Sequence, residues 1–198
     1  MFTKIPFNLP NLITAGRMLL TPLAVIFCAR AEILREDVSA LAALFVFIII
    51  VCTDIADGVI ARKLSLITDE GAHFDILADF FYRFSLLLLF CLTGKTSFLL
   101  LLSFSLLFIL FITGYCPFRL ITSQKLLLYS GKSVPVLITV LLGLLITDDC
   151  FQLPLFLNTI MQKLEVAILG MTIISIMIKL FCRGNRDSVP LLRLTKQY

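Results

Sequence analysis

Residues 54–79 read "DIADGVIARKLSLITDEGAHFDILAD". Four of its aspartates, Asp54, Asp57, Asp75 and Asp79, crowd into the ends of oily segments. Upstream, residues 38–52 contain no charged side chain, and downstream neither do residues 84–92 or 98–112. Of the 198 residues 60% are apolar and the mean hydropathy is +1.04, whereas a soluble domain is usually at most about half apolar. Spanning a hydrocarbon core takes ~20 mostly apolar helical residues. The chain therefore reads as an all-α, polytopic membrane protein, with one domain over residues 1–198. The apolar runs are continuous rather than alternating, which argues against a β-barrel.

Working outward from the aspartates, the hydropathy pattern predicts six transmembrane helices, near 12–30, 38–60, 70–93, 96–116, 133–148 and 161–182. Asp54 and Asp57 then end the second span, and Asp75 and Asp79 sit early in the third. The linker "KLSLITDE" is short, which predicts that these two spans are antiparallel neighbours. Its acids, Asp69 and Glu70, suit a helix start, where negative charge meets the positive end of the dipole. The opening "MFTKIPFNLPN" is too short to span and is expected to lie in the membrane interface. It is followed by no small-residue cleavage site, so the first span is expected to be retained. Residues 183–198 are basic and polar and suit a solvated or headgroup-facing end. The six cysteines are scattered without a C-x-x-C pair and read as small apolar side chains, with neither a zinc site nor a disulfide framework.

Charge orients the bundle. Lys4, Arg17, Arg62, Lys63, Arg119, Lys125, Lys132, Lys179, Arg183, Arg186, Arg193 and Lys196 fall on one side, against Arg30, Arg35, Lys95 and Lys163 on the other. Positive residues favour the cytoplasmic face. Both termini and the aspartate stretch are therefore expected on the cytoplasmic side, with a bacterial cytoplasmic membrane as the expected location. Glu32, Glu36, Asp37, Asp148 and Asp149 fall on the far side and read as solvated loop charges. No nucleic-acid partner is expected.

On a helix, residues three or four apart share a face. Asp54 and Asp57 are such a pair, and so are Asp75 and Asp79. Two adjacent helices can aim all four carboxylates at one point, where they repel unless protonated or bridged by a cation. An all-oxygen donor set without a His/Cys cluster suits Mg²⁺, Mn²⁺ or Ca²⁺ rather than zinc. Gly58, Ala61 and Gly71 leave room for a ligand or a close helix contact. Arg62 adds a fork suited to phosphate. Together these features describe a site for a metal-held diphosphate at the membrane surface. Acids inside a membrane also occur in transporters and proton paths, and a membrane transporter with an acidic ion site is the reading from a different functional class.

The spacing D-x2-D-G-x2-A-R-x8-G-x3-D-x3-D, carried by Asp54, Asp57, Gly58, Ala61, Arg62, Gly71, Asp75 and Asp79, resembles the signature of the CDP-alcohol phosphotransferases, with all eight fixed positions present. The opening "NLPNLITAGRMLLTP", with Asn11, Thr14 and Arg17, also resembles the family's first helix. The resemblance implies six transmembrane helices, a homodimer, and transfer of a phosphatidyl group from CDP-diacylglycerol to an alcohol with release of CMP. It implies two divalent ions, Mg²⁺ or Mn²⁺, held by Asp54, Asp57, Asp75 and Asp79. Asp79 is also implied as the catalytic base, and Gly58, Ala61 and Gly71, with Arg62 at the rim, as the CDP-lipid site.

The acceptor is read from the residues after the fourth span. Arg119, Lys125 and Lys132 form a basic group there; the positive-inside rule alone accounts for such a group, and a pocket for a phosphorylated acceptor is the functional reading. Family members using glycerol 3-phosphate or inositol phosphate carry basic residues in this region. Many members that make phosphatidylglycerophosphate read D-P-x-A-D-K at the last two aspartates, where this chain has "DILADF", and G-K-x-K-T where it has "GKSVP". Glycerol 3-phosphate is the expected acceptor, with serine, inositol phosphate and phosphatidylglycerol as alternatives. His73, the only histidine, suits a structural or interfacial role or a phosphate contact, and Arg83, one turn after Asp79, suits a pair with Asp79 or an acceptor contact.

Overall fold

The computed structural model describes the backbone of residues 9–64, 69–113, 124–151 and 154–181, and side chains over 14–56, 74–112, 133–151, 154 and 156–180. These residues form six helices and no strand: α1 (Leu9–Leu34), α2 (Asp37–Leu64), α3 (Asp69–Leu92), α4 (Phe98–Thr113), α5 (Gln124–Phe151) and α6 (Leu155–Phe181). The expected all-α class holds. Among the described residues two segments, Asp37–Ala56 and Ser133–Phe151, are long and apolar enough to cross a membrane, and Phe98–Ile112 is a shorter apolar helix. The helix expected at 133–148 starts at Gln124, so Lys125 and Lys132 fall within it.

The connections follow from local chemistry. Arg35 takes a left-handed φ of 54° at the end of α1. Ala40 N–H then donates to the Glu36 carbonyl at 3.1 Å, which opens α2. Ser39 Oγ donates to the Glu36 carboxylate at 2.7 Å, and Arg30 pairs with the same group. These bonds hold the Glu36 carboxyl below its usual pKa. At the other turn on this side, Gly94 sits at φ 80° just after α3. Lys95 N–H reaches the Phe90 carbonyl at 2.8 Å and Gly94 N–H reaches that of Cys91 at 3.2 Å, which is a Schellman termination. Ser97 caps α4, its Oγ accepting from the Leu100 N–H at 3.4 Å.

Helix α1 is central to the site end of the bundle, lying against both α2 and α3. The small buried residues Ala24, Cys28 and Ala31 of α1 and Ala40 and Ala43 of α2 let these two helices approach closely. Helices α2 and α3, expected as neighbours, meet among the described residues through side chains, with Arg83 Nη2 3.8 Å from Asp54 Oδ2, and α1 packs against both. Helix α2 also packs on α5, where the Phe47 ring fills the space beside Gly143; a Cβ there would lie 3.2 Å from Phe47 Cε1. Helix α4 joins α3 through Phe80, which stacks on Phe104 and Phe108. It joins α6 where Ser103 and Thr172 share a hydrogen bond of 3.3 Å. The interior is built from Ile50, Tyr82, Leu86, Leu87, Phe90, Ile138 and Leu142. Large apolar side chains, Leu19, Phe45, Phe98, Phe156 and Val166 among them, point outward, which suits lipid and disfavours water.

Candidate active site

Three helices deliver the site. Asp54 comes from α2, Asp75 and Asp79 come from one face of α3, and Arg17 enters from α1 between them. One carboxylate oxygen from each aspartate lies within 4.8 Å of the others. The Arg17 side chain is fully buried. Its Nη1 donates to Asp54 Oδ1 at 2.9 Å and also to Asp79 Oδ1, and its Nη2 donates to Asp75 Oδ1 at 3.1 Å. A guanidinium buried in a membrane protein is costly unless paired, and this one meets a carboxylate at each of three bonds.

A second arginine braces the set from behind. Arg83 Nη1 pairs with Asp79 Oδ2 at 3.1 Å, one helical turn away, and Nη2 lies 3.8 Å from Asp54 Oδ2. Its Nε donates to Thr139 Oγ1 of α5 at 3.0 Å, and its guanidinium stacks over the Tyr82 ring at 4.6 Å. Thr139 Oγ1 spends its own proton on the Pro135 carbonyl at 3.0 Å. The Tyr82 hydroxyl, 3.0 Å away, therefore donates to Thr139. One hydroxyl thus fixes both neighbours. Thr139→Val is expected to leave both donors without an acceptor, at about 1–3 kcal/mol for each buried group, read as a lower melting temperature in detergent.

Three carboxylates and two guanidiniums leave one net negative charge among these side chains. Asp54 and Asp79 are about a quarter exposed and Asp75 is 42% exposed, so one side of the cluster stays open. The donor set is all carboxylate oxygen, and Arg17 already occupies it as a cation. It therefore fits a hard divalent ion with open positions for phosphate oxygens.

Of the other expected site residues, the backbones of Asp57, Gly58, Ala61 and Arg62 continue α2, and those of Gly71 and His73 lie in the first turns of α3. Helix α3 opens at Asp69, as the linker acids predict. The backbones of Lys125 and Lys132 lie in α5. The side chains of all these residues, and Arg119 entirely, lie outside the described residues.

The far end of the bundle corrects another expectation. Glu32 and Asp149 are not solvated loop charges; they lie in the last turns of α1 and α5, and their side chains are 12% and 9% exposed. Lys95 bridges them, 2.5 Å from Glu32 Oε1 and bonded to Asp149 Oδ1. Burial alone would lower the Lys95 pKa, but the two carboxylates outweigh it and raise the ammonium above its ordinary value. A cavity of about 500 Å³ adjoins this cluster. It stands some 15 residues along α1 from Arg17, roughly 22 Å at helical rise.

Sequence reasoning counted Arg17 among the cytoplasmic charges and missed its place at the centre of the site. The available signal is an arginine in the apolar first half of α1 with no acid one turn away.

A family model for CDP-alcohol phosphatidyltransferases matches residues 7–180. A CDP-diacylglycerol–glycerol-3-phosphate 3-phosphatidyltransferase of Bacillus subtilis (strain 168) is 43% identical over 81 residues, covering 37% of this chain and 42% of the relative. A protein of the same name from Rickettsia prowazekii (strain Madrid E) is 36% identical over 76 residues, 38% of this chain and 40% of the relative. The chain thus spans about two fifths of the length of these curated relatives. With the family model covering most of the residues and every fixed position of the aspartate pattern present, the chain belongs to the CDP-alcohol phosphatidyltransferase family.

Proposed function

We propose that this chain is an integral membrane enzyme that transfers a phosphatidyl group from CDP-diacylglycerol to glycerol 3-phosphate and releases CMP. The observation that carries the reading is the convergence of Asp54, Asp75 and Asp79 to within 4.8 Å around the Arg17 guanidinium. Family membership supports the chemistry, and the activity for which the two relatives are named supports the acceptor.

In this reading the acceptor oxygen attacks the phosphatidyl phosphorus. A new P–O bond forms, the bond to the CMP phosphate oxygen breaks, and CMP leaves with the bonding pair. Asp79 takes the proton of the attacking hydroxyl. Its pairing with Arg83 fixes the carboxylate's orientation. Asp54, Asp57, Asp75 and Asp79 would hold two divalent ions, Mg²⁺ or Mn²⁺, which when bound neutralise charge on the diphosphate and the leaving CMP. Gly58, Ala61 and Gly71 line the cytidine pocket and Arg62 pairs with a phosphate oxygen. Arg119, Lys125 and Lys132 receive the acceptor phosphate.

The same reading takes the chain as one domain with six membrane spans and a short interfacial N-terminal segment. The exposed apolar faces on several helices support that arrangement. The site then opens to the cytoplasm of a bacterial cell, and the enzyme is a homodimer. The test is CMP release by purified protein with CDP-diacylglycerol and a panel of glycerol 3-phosphate, serine, inositol phosphate and phosphatidylglycerol. Glycerol 3-phosphate is expected to give the highest rate, and Lys132→Ala is expected to raise its KM. A higher rate with serine, with an unchanged KM in Lys132→Ala, would replace the acceptor.

A further inference from the structure

We infer that Arg17 is a built-in counter-cation that divalent metal must displace, so that α1 sets the metal affinity of the site. The inference rests on the metal-dependent reading above and deepens it. The guanidinium donates to Oδ1 of Asp54, Oδ1 of Asp75 and Oδ1 of Asp79. These three residues are the described acids close enough to share an ion. Guanidinium and metal therefore compete for one set of carboxylates. Both draw on the same three Oδ1 atoms, so an ion bonded to all three weakens or replaces the bonds from Arg17.

The arrangement has two consequences. Without metal, Arg17 keeps three converging acids together and offsets their repulsion, so the fold does not depend on the ion. With metal, the carboxylates exchange one cation for another, and part of the binding free energy goes into releasing Arg17. Arg83 does not take this role: it approaches Asp54 and Asp79 through their Oδ2 atoms, from the α5 side, and is anchored by Thr139. Arg17 is a positioning residue here, acting on the carboxylates.

The test uses full-length protein in detergent, stripped with EDTA and titrated with Mn²⁺, with bound ion read by electron paramagnetic resonance and stability read by thermal melting. Arg17→Met keeps the apolar stem and removes the competitor. It is expected to bind Mn²⁺ at least about tenfold more tightly than the parent protein, which corresponds to ~1.4 kcal/mol. It is also expected to melt at a lower temperature in EDTA and to gain more on Mn²⁺ addition. Equal or weaker Mn²⁺ binding by folded Arg17→Met would overturn the inference. If that variant does not fold, Arg17→Lys decides: its point charge cannot match the fork across three carboxylates, so its Mn²⁺ affinity is expected to exceed the parent's, and an equal or lower affinity would overturn the inference. Retained metal-dependent CMP release alongside unchanged Mn²⁺ affinity removes only the role of Arg17. Absence of Mn²⁺ binding in every protein removes the metal reading of the site as well.

Discussion

Asp79→Asn is expected to lower the rate of CMP release by about 10²–10⁴-fold at saturating Mn²⁺, the range spanned by positioned general bases. Asparagine keeps the size of the aspartate, and its one amide oxygen still accepts from Arg17 or from Arg83, but not from both, because the two arginines use different oxygens of Asp79. What is lost is the group that can take a proton. The local charge also rises from one net negative to neutral, so the variant relieves repulsion and is expected to fold. Binding of the CDP-lipid is expected to remain within severalfold of the parent protein, because Asp54 and Asp75 are untouched. The pairing of lost turnover with retained binding is the informative result. Full activity in Asp79→Asn would remove Asp79 from the reaction.

The second large effect lies at the far end of the bundle. Lys95→Met is expected to cost about 3–5 kcal/mol, the range for removing one partner of a buried ion pair. The ammonium is a quarter exposed, but the carboxylates that it bridges are nearly buried and would be left facing one another. At ~2–4 °C per kcal/mol for a chain of this length, the melting temperature is expected to fall by roughly 6–20 °C. Adding Glu32→Gln and Asp149→Asn to Lys95→Met is expected to recover most of the loss, since no charge is then stranded. Because the folded pKa of Lys95 is raised, its contribution is fully present below the ordinary value of 10.5 and is lost only as pH climbs through the higher folded value. At any pH where the variants stay folded, CMP release per folded molecule is expected to match the parent, because the bridge is far from the aspartates. A drop in turnover without a drop in stability would tie this end of the bundle to the chemistry.

The aspartates were legible in the sequence because their spacing is local. Asp75 and Asp79 are four apart, and a helix alone puts them on one face. The helix count was legible because continuous apolar runs are broken by short polar turns such as the one at Gly94. Contacts between distant helices were not legible. Arg17 meets Asp54 and Asp79 across 37 and 62 residues of chain, and nothing local to α1 announces either partner. The short linker after α2 places α3 near it, but nothing in the linker shows that α1 packs against both helices. Thr139 escaped notice because a threonine in an apolar helix usually bonds its own backbone, and this one does so while also accepting from Tyr82 and Arg83. Glu32 and Asp149 read as loop charges because each stands near a chain turn, and only the packed bundle brings them to Lys95.

The most direct test of the account is CMP release from CDP-diacylglycerol and glycerol 3-phosphate by the purified protein, measured in EDTA and again after Mg²⁺ or Mn²⁺ is restored. No detectable release is expected in EDTA, with recovery on adding either ion and no recovery when Asp54 or Asp75 is replaced by alanine. Release that persists in EDTA, or that survives loss of both aspartates, would contradict it.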